Sequence, residues 1–302
     1  MPDSVTPPDA APFSRPSMVI HPDPESLALA TATMVVEEAR RGVNMRGRFT
    51  LALAGGSTPQ RAYELLARPS LAGLVPWESV HVFWGDERCV DPADPRSNER
   101  MARETLLDHV PIPSDQVHPM RCGGGGLGSG RSAESGPEGA AAARGAAAEY
   151  DGLLRAFFPS GGNVGAAALR DQGGRAETGC DLVLLGIGRN GHTASLFPGS
   201  EVLREEERWA ASVFVDAAAG TGTTAAGHDM WRITLTAPFI NRAALVVFLA
   251  SGLSKAEVVR EVTEGQVDTA RLPAQLIRPV NGRLCWYLDE GSAALLARRS
   301  PE

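Results

Sequence analysis

The residues able to do chemistry fall in a few short runs. The most informative is Gly186-Ile187-Gly188-Arg189-Asn190-Gly191-His192-Thr193-Ala194-Ser195-Leu196-Phe197-Pro198-Gly199, which follows directly on the apolar Leu182-Val183-Leu184-Leu185. A buried strand breaking into a glycine-rich turn lets the backbone approach a ligand closely and lifts the imidazole out of the sheet. Histidine titrates nearest to neutral pH, so His192 is a candidate base. The plainer reading is a turn carrying a solvated histidine.

A second run, Gly55-Gly56-Ser57-Thr58-Pro59, also follows an apolar stretch. Its glycines would close the backbone around an anion, Ser57 and Thr58 offer hydroxyls, and Pro59 suits the first position of a helix. The unpaired N–H groups of that helix start, with the helix dipole, would favour a phosphate. An ordinary N-cap at Thr58 is the alternative. The third run is Gly85-Asp86-Glu87-Arg88, after Val82-Phe83-Trp84. Three charges at a strand end are costly unless used, paired or solvated. Arg88 would clamp a phosphate bidentately, and Asp86 would contact sugar hydroxyls or orient a base; a solvated turn with an internal ion pair is the alternative. Arg232, in Trp231-Arg232-Ile233-Thr234-Leu235-Thr236, faces either the same pocket or the surface. Lys255 opens a helix after Ser251-Gly252 and reads as solvent-exposed.

These runs need strands and helices to hold them. The periodicity predicts a helix over 25–41, strands over 49–54, 80–84, 181–185, 233–236, 245–250 and 284–288, and helices over 98–108, 140–158 and 255–262. A helix opened by Pro59 follows the first glycine turn, a short helix separates the strands at 233–236 and 245–250, and a C-terminal helix closes the chain. Strands alternating with helices predict a largely parallel sheet covered on both faces, with ligands beyond the carboxyl ends of the strands. Three of the candidate runs lie at such ends. The glycine-, serine- and alanine-rich tracts near 123–139 and 160–179, and the polar stretch near 217–228, read as flexible surface insertions. Residues 1–17 read as a disordered, proline-rich tail with no apolar core, neither signal peptide nor membrane anchor.

Composition narrows the classes. The chain has 302 residues, 43% hydrophobic and 22% charged, with a net charge of −7. This is a soluble globular composition that argues against nucleic-acid and anionic membrane surfaces. An anionic ligand must therefore meet a local cluster of cations or N–H groups. No apolar stretch approaches the roughly 20 residues that span a bilayer. Cys89, Cys122, Cys180 and Cys285 are far apart in sequence and make no metal-ligand pattern, so they read as reduced thiols in a cytosolic protein, with no metal implied.

Taken in order, these runs resemble the 6-phosphogluconolactonase family, whose fold is shared with glucosamine-6-phosphate deaminase and, more distantly, ribose-5-phosphate isomerase. The resemblance runs from about residue 19 to the C-terminus and rests on residues 51–59, 82–88, 96–98, 184–199, 232–236 and 273–289. Its most specific phrase is Gly191-His192-Thr193-Ala194-Ser195-Leu196-Phe197-Pro198. Deaminases carry an asparagine–glutamate pair where this chain has Leu196-Phe197. Two positions depart from the pattern. Asn190 stands where the family usually has aspartate, and Gly227-His228-Asp229-Met230-Trp231 replaces a stretch with a lysine and prolines. Arg88, with Arg232 or His228, would then compensate for the missing cation, and Asp86 would supply the negative charge.

The resemblance implies an α/β, Rossmann-like three-layer sandwich with a mostly parallel sheet, in one domain over 18–302. It implies hydrolysis of 6-phospho-D-glucono-1,5-lactone in the oxidative pentose phosphate pathway, in the cytoplasm. His192 and Asp86 would be the catalytic pair, and Gly55, Gly56, Ser57, Thr58, Arg88, Asn190, Gly191 and Arg232 would bind substrate. Backbone N–H groups of the glycine turns would stabilise the oxyanion. Neither metal nor cofactor is implied, the partner is a small sugar-phosphate lactone, and the protein would be a monomer or weak homodimer. A nucleophilic Ser195 is the mechanistic alternative, although no Gly-x-Ser-x-Gly elbow is present. A deaminase-like isomerase with Asp86 as base and a non-catalytic sugar-phosphate sensor are the functional alternatives.

Overall fold

The computed structural model describes residues 16–122, 137–158, 179–215 and 230–297. Within them two sheets form. The larger is six-stranded and wholly parallel, in the order β1 (Ser17–His21), β9 (Arg283–Asp289), β8 (Leu245–Ala250), β5 (Leu182–Gly186), β2 (Phe49–Leu53), β3 (Val80–Trp84). The central strands β2 and β8 are buried at every position, and β5 at all but Gly186. Continuous apolar runs are what a strand covered on both faces requires. β1, at the sheet edge, exposes Val19 and Ile20.

The helices begin and end where local chemistry dictates. α1 (Pro24–Arg46) starts behind Asp23, whose carboxylate accepts the Ser26 N–H at 2.7 Å, and stops at Gly47, whose N–H bonds the Val43 carbonyl. It therefore runs five residues beyond the expected end at residue 41. α5 (Pro137–Phe157) starts ahead of the expected residue 140 and takes in the last three residues of the first expected insertion. The remainder of the expected insertions and tail, apart from Gly179 and the stretch from Pro16 onward, lies outside the described residues. No C-terminal helix is seen among the described residues. Residues 290–297 run as turns, because the Asp289 carboxylate takes the Ser292 N–H at 2.7 Å and folds the chain back on the strand end.

The second sheet is three-stranded and antiparallel, in the order β4 (Asp86–Arg88), β7 (Met230–Leu235), β6 (Ala210–Val215). It corrects two expectations: 86–88 is a strand rather than a loop, and 233–236 belongs to this sheet rather than to the parallel one. β6 had no counterpart in the sequence reading. Gly85 is the corner between the two sheets, its N–H bonded to the Leu53 carbonyl and its carbonyl to the Leu235 N–H, both at 2.8 Å. Cys89 and Cys122, expected as separate thiols, are joined in a disulfide with Cα atoms 5.0 Å apart. The chain brings together cysteines 33 residues apart, which their sequence spacing could not reveal. Cys180 and Cys285 are buried.

β2 and β5 are neighbours, yet the chain leaves β2 toward β3 on one side and β5 lies next to β8 on the other. Connections that diverge in this way open a crevice beyond the carboxyl ends of the strands. The glycine runs 55–56 and 186–192 both leave the sheet there.

Candidate active site

At that switch point lies a cleft of about 190 Å³ lined by Gly55, Gly56, Asp86, Arg88, Gly188, His192, Ala194, Arg232 and Lys255, among others. Residues from five separate stretches of sequence thus reach one volume. A larger cavity of about 300 Å³ lies among α7 (Ala256–Glu264), the turn at 273–279 and β9. Its lining is mainly apolar, with Arg278 the single charged residue, and it has no histidine or carboxylate.

His192 is held on three sides. Its Nδ1 lies 2.5 Å from Asn190 Oδ1, and its backbone N–H points to the same oxygen at 3.3 Å. Two donors meeting on one atom require an oxygen there, so Nδ1 carries the ring proton and Nε2 keeps its lone pair. The ring stacks on Phe197 with centroids 4.3 Å apart. On the remaining side it presses against Gly188, where a Cβ would sit 2.0 Å from the ring. Burial, with the Arg232, Lys255 and Arg88 charges, depresses its pKa to about 4 despite the nearby Asp86, so the imidazole is neutral at physiological pH. Gly191 lies behind the turn against Leu272. The amides of Gly188 and Gly191 are already bonded to the carbonyls of His192 and Gly188. Those two amides are therefore occupied in holding the turn.

Asp86 and Arg88 alternate with Glu87 along β4, so they share a face while Glu87 points away. The Asp86 carboxylate accepts the Ser195 hydroxyl at 2.6 Å and an Asn98 amide hydrogen at 3.2 Å. Ser195 is wholly buried and does not line the cleft, which removes the nucleophile alternative. Arg88 donates to the Arg96 carbonyl at 3.0 Å and to Asn98 Oδ1. Arg232 stands 3.8 Å from Asp86, its Nε buried without a partner, and burial together with Arg88 lowers its pKa to about 10. Glu87 is structural. Its carboxylate accepts the N–H groups of Asn98 and Glu99, each at 2.7 Å, and so holds the first turn of α4 (Asn98–Thr105).

The first glycine run differs in detail from expectation. α2 (Ser57–Leu66) begins two residues before Pro59, which sits third in the helix, and its N-cap is Gly56 rather than Thr58. No side chain caps it, so the amides of Ser57 and Thr58 remain at the helix start without a partner inside the helix. The Ser57 and Thr58 side chains do not line the cleft, nor do Asn190 and Gly191. Lys255 departs most from expectation: it is partly buried, donates from Nζ to the Ile187 carbonyl at 2.7 Å, and lines the cleft. Burial lowers its pKa. Lys255 thus adds a cation to the cleft, while His228 lies outside the described residues. Nothing around Ser251-Gly252 in the sequence announced this, because the helix start meets Ile187 only once β8 lies beside β5.

The cleft thus holds a neutral imidazole, three cations and one carboxylate at a sheet switch point, a charge pattern that suits an anionic ligand. Residues 22–286 match the family described as glucosamine-6-phosphate isomerases/6-phosphogluconolactonase, and the chain belongs to it. Among relatives, it is 33% identical over 283 residues to the 6-phosphogluconolactonase of Nostoc sp., covering 94% of this chain and 99% of that one. It is 37% identical over 260 residues to the 6-phosphogluconolactonase of Synechocystis sp., covering 85% and 88%. The solved 6-phosphogluconolactonase of Trypanosoma brucei superposes with a TM-score of 0.74 at 30% identity, covering 94% and 99%. A monomeric glucosamine-6-phosphate deaminase, at 19% identity and a TM-score of 0.68, shares the fold.

Proposed function

We infer that the chain is a 6-phosphogluconolactonase, a carboxylic ester hydrolase that opens 6-phospho-D-glucono-1,5-lactone to 6-phospho-D-gluconate with His192 as the general base. The observation that carries the site assignment is the His192–Asn190 contact, which leaves Nε2 with its lone pair unprotonated in a cationic cleft. Arg88, Arg232 and Lys255 supply positive charge for the phosphate, joined by the amides at the start of α2, while the Gly55-Gly56 turn lets the ligand approach the backbone. Three cations against one carboxylate suit a phosphate monoester, whose charge is about −1.5 to −2 near neutral pH.

His192 Nε2 takes a proton from water as the water oxygen bonds to the lactone carbonyl carbon. The resulting oxyanion collapses, the bond from that carbon to the ring oxygen breaks, and the imidazolium returns its proton to the ring oxygen. General-base help of this kind contributes roughly 10²–10⁴-fold. The lactone is an activated ester that opens slowly unaided, so modest catalysis suffices. No step calls for a metal or redox cofactor. We place the enzyme in the cytoplasmic pentose phosphate pathway, as a monomer or weak homodimer; among the described residues no helix is long and apolar enough to cross a membrane.

The deaminase alternative needs Asp86 free to take a proton from carbon, whereas its oxygens already accept from Ser195 and Asn98. The test is lactone hydrolysis followed by coupled oxidation of 6-phosphogluconate, beside ammonia release from glucosamine 6-phosphate. Rapid hydrolysis without ammonia is expected. Ammonia release with no lactone hydrolysis would reverse the assignment.

A further inference from the structure

Within the run Arg96-Ser97-Asn98, the side chain of Asn98 has no role in the reaction described above. Asn98 is the first residue of α4 and 2% exposed. Its amide nitrogen donates to the Asp86 carbonyl at 2.8 Å and to the Asp86 carboxylate at 3.2 Å. Its amide oxygen accepts from the Arg88 guanidinium. That oxygen also presses on the first glycine turn, where a Cβ on Gly55 would lie 2.1 Å from it.

The backbone beneath Asn98 is fixed independently. Glu87, on the opposite face of β4, accepts the Asn98 and Arg88 N–H groups on one carboxylate oxygen, at 2.7 and 2.8 Å. Its other oxygen accepts the Glu99 N–H and the Ser97 hydroxyl, at 2.7 and 3.0 Å. The start of α4 is thereby pinned to β4, and the Asn98 side chain has one place to go. A carboxamide donates to the anion through its nitrogen and accepts from the cation through its oxygen; a carboxylate lacks the donor and a methyl lacks both.

We propose that Asn98 is a positioning residue that locks Arg88, Asp86 and the Gly55 turn into one geometry, so that the phosphate grip and the carboxylate beside His192 are set together. This rests on the lactonase reading. Without Asn98, the Arg88 side chain keeps, among the described residues, the Arg96 carbonyl, and Asp86 keeps Ser195 and a distant Arg232.

Two variants separate this role from mere support of the helix. Asn98→Ala frees both partners, and is expected to raise KM for the lactone and lower kcat, each at least tenfold. Asn98→Asp retains an acceptor for Arg88 but deprives Asp86 of its donor and sets a second carboxylate beside it. It is expected to lower kcat at least tenfold while KM stays within threefold of the parent. Thermal unfolding of both variants gives the folded fraction. The proposal is overturned if kcat and KM of both variants stay within threefold of an active parent. It is equally overturned if kcat falls alike in both, in step with the folded fraction, at unchanged KM. A parent that does not hydrolyse the lactone overturns the lactonase reading itself, and this proposal with it.

Discussion

Arg88 and Arg232 stand directly opposite each other in the antiparallel register of β4 and β7. Like charges in that position destabilise a sheet, and only one carboxylate, Asp86, lines the same cleft. The arrangement makes sense as an anion site whose cost is offset when phosphate binds. Replacing Arg232 with Met should therefore leave Tm unchanged or raise it, while KM for the lactone rises. Charge-assisted hydrogen bonds worth about 1.5–3 kcal/mol correspond to roughly 10- to 150-fold. Inorganic phosphate should raise Tm of the parent more than that of the variant. A variant with parental KM would show that Arg232 does not touch the phosphate.

The pH dependence follows from the neutral His192. A base must be unprotonated, and with a pKa of about 4 it stays so throughout the neutral range. The profile of kcat/KM should be flat from pH 8 to about pH 5 and fall below that. Asn190→Asp would place a carboxylate on Nδ1, favour the imidazolium, and move the acid limb up by about 1–3 pH units. An acid limb near 6.5 in the parent, or no movement in the variant, would contradict the assigned contact.

The same sign governs stability. His192 and His81 both have folded pKa values depressed to about 4, in each case chiefly by burial, and His118 beside His81 is lowered too. The unfolded chain binds these protons first, so their contribution is intact above about pH 6.5 and is lost as pH falls toward 4. Denaturant midpoints measured at pH 7.5, 6 and 5 should decline in that order. His81→Phe would flatten the decline, since Phe157 already packs edge-on against this ring and His118 stacks beside it.

The Cys89–Cys122 disulfide closes a loop of 33 residues. A loop of that size contributes about 3–4 kcal/mol in the chain-entropy treatment. Reduction, or Cys122→Ser, should lower Tm by roughly 5–10 °C for a domain of this size. Equal Tm with and without a dithiol reductant would show that the bond adds no stability.

How far the sequence could be read varies element by element. β3 and β8 were legible to the residue, since Val80–Trp84 and Leu245–Ala250 are apolar runs between clear breaks. β4 was not, because Asp-Glu-Arg has no strand tendency of its own; it extends only because β7 pairs with it. β6 is hidden for a related reason: it opens on Ala-Ala-Ser, with no strand signal of its own, and is held by its antiparallel pairing with β7. At the site, His192, Asp86, Arg88 and Arg232 were all drawn from local motifs, and the fold gathers them in one cleft. Lys255 and the work of Asn98 were invisible locally, because each depends on a residue more than ten positions away. The disulfide was hidden in the same way.

Lactone hydrolysis by His192→Ala, read through coupled oxidation of 6-phosphogluconate, tests the central claim most directly. The substitution removes the base but none of the cations, so kcat should fall at least about 100-fold while 6-phosphogluconate binds as in the parent. Parental turnover in a folded His192→Ala protein would contradict the account, and the base would have to be sought elsewhere in the cleft.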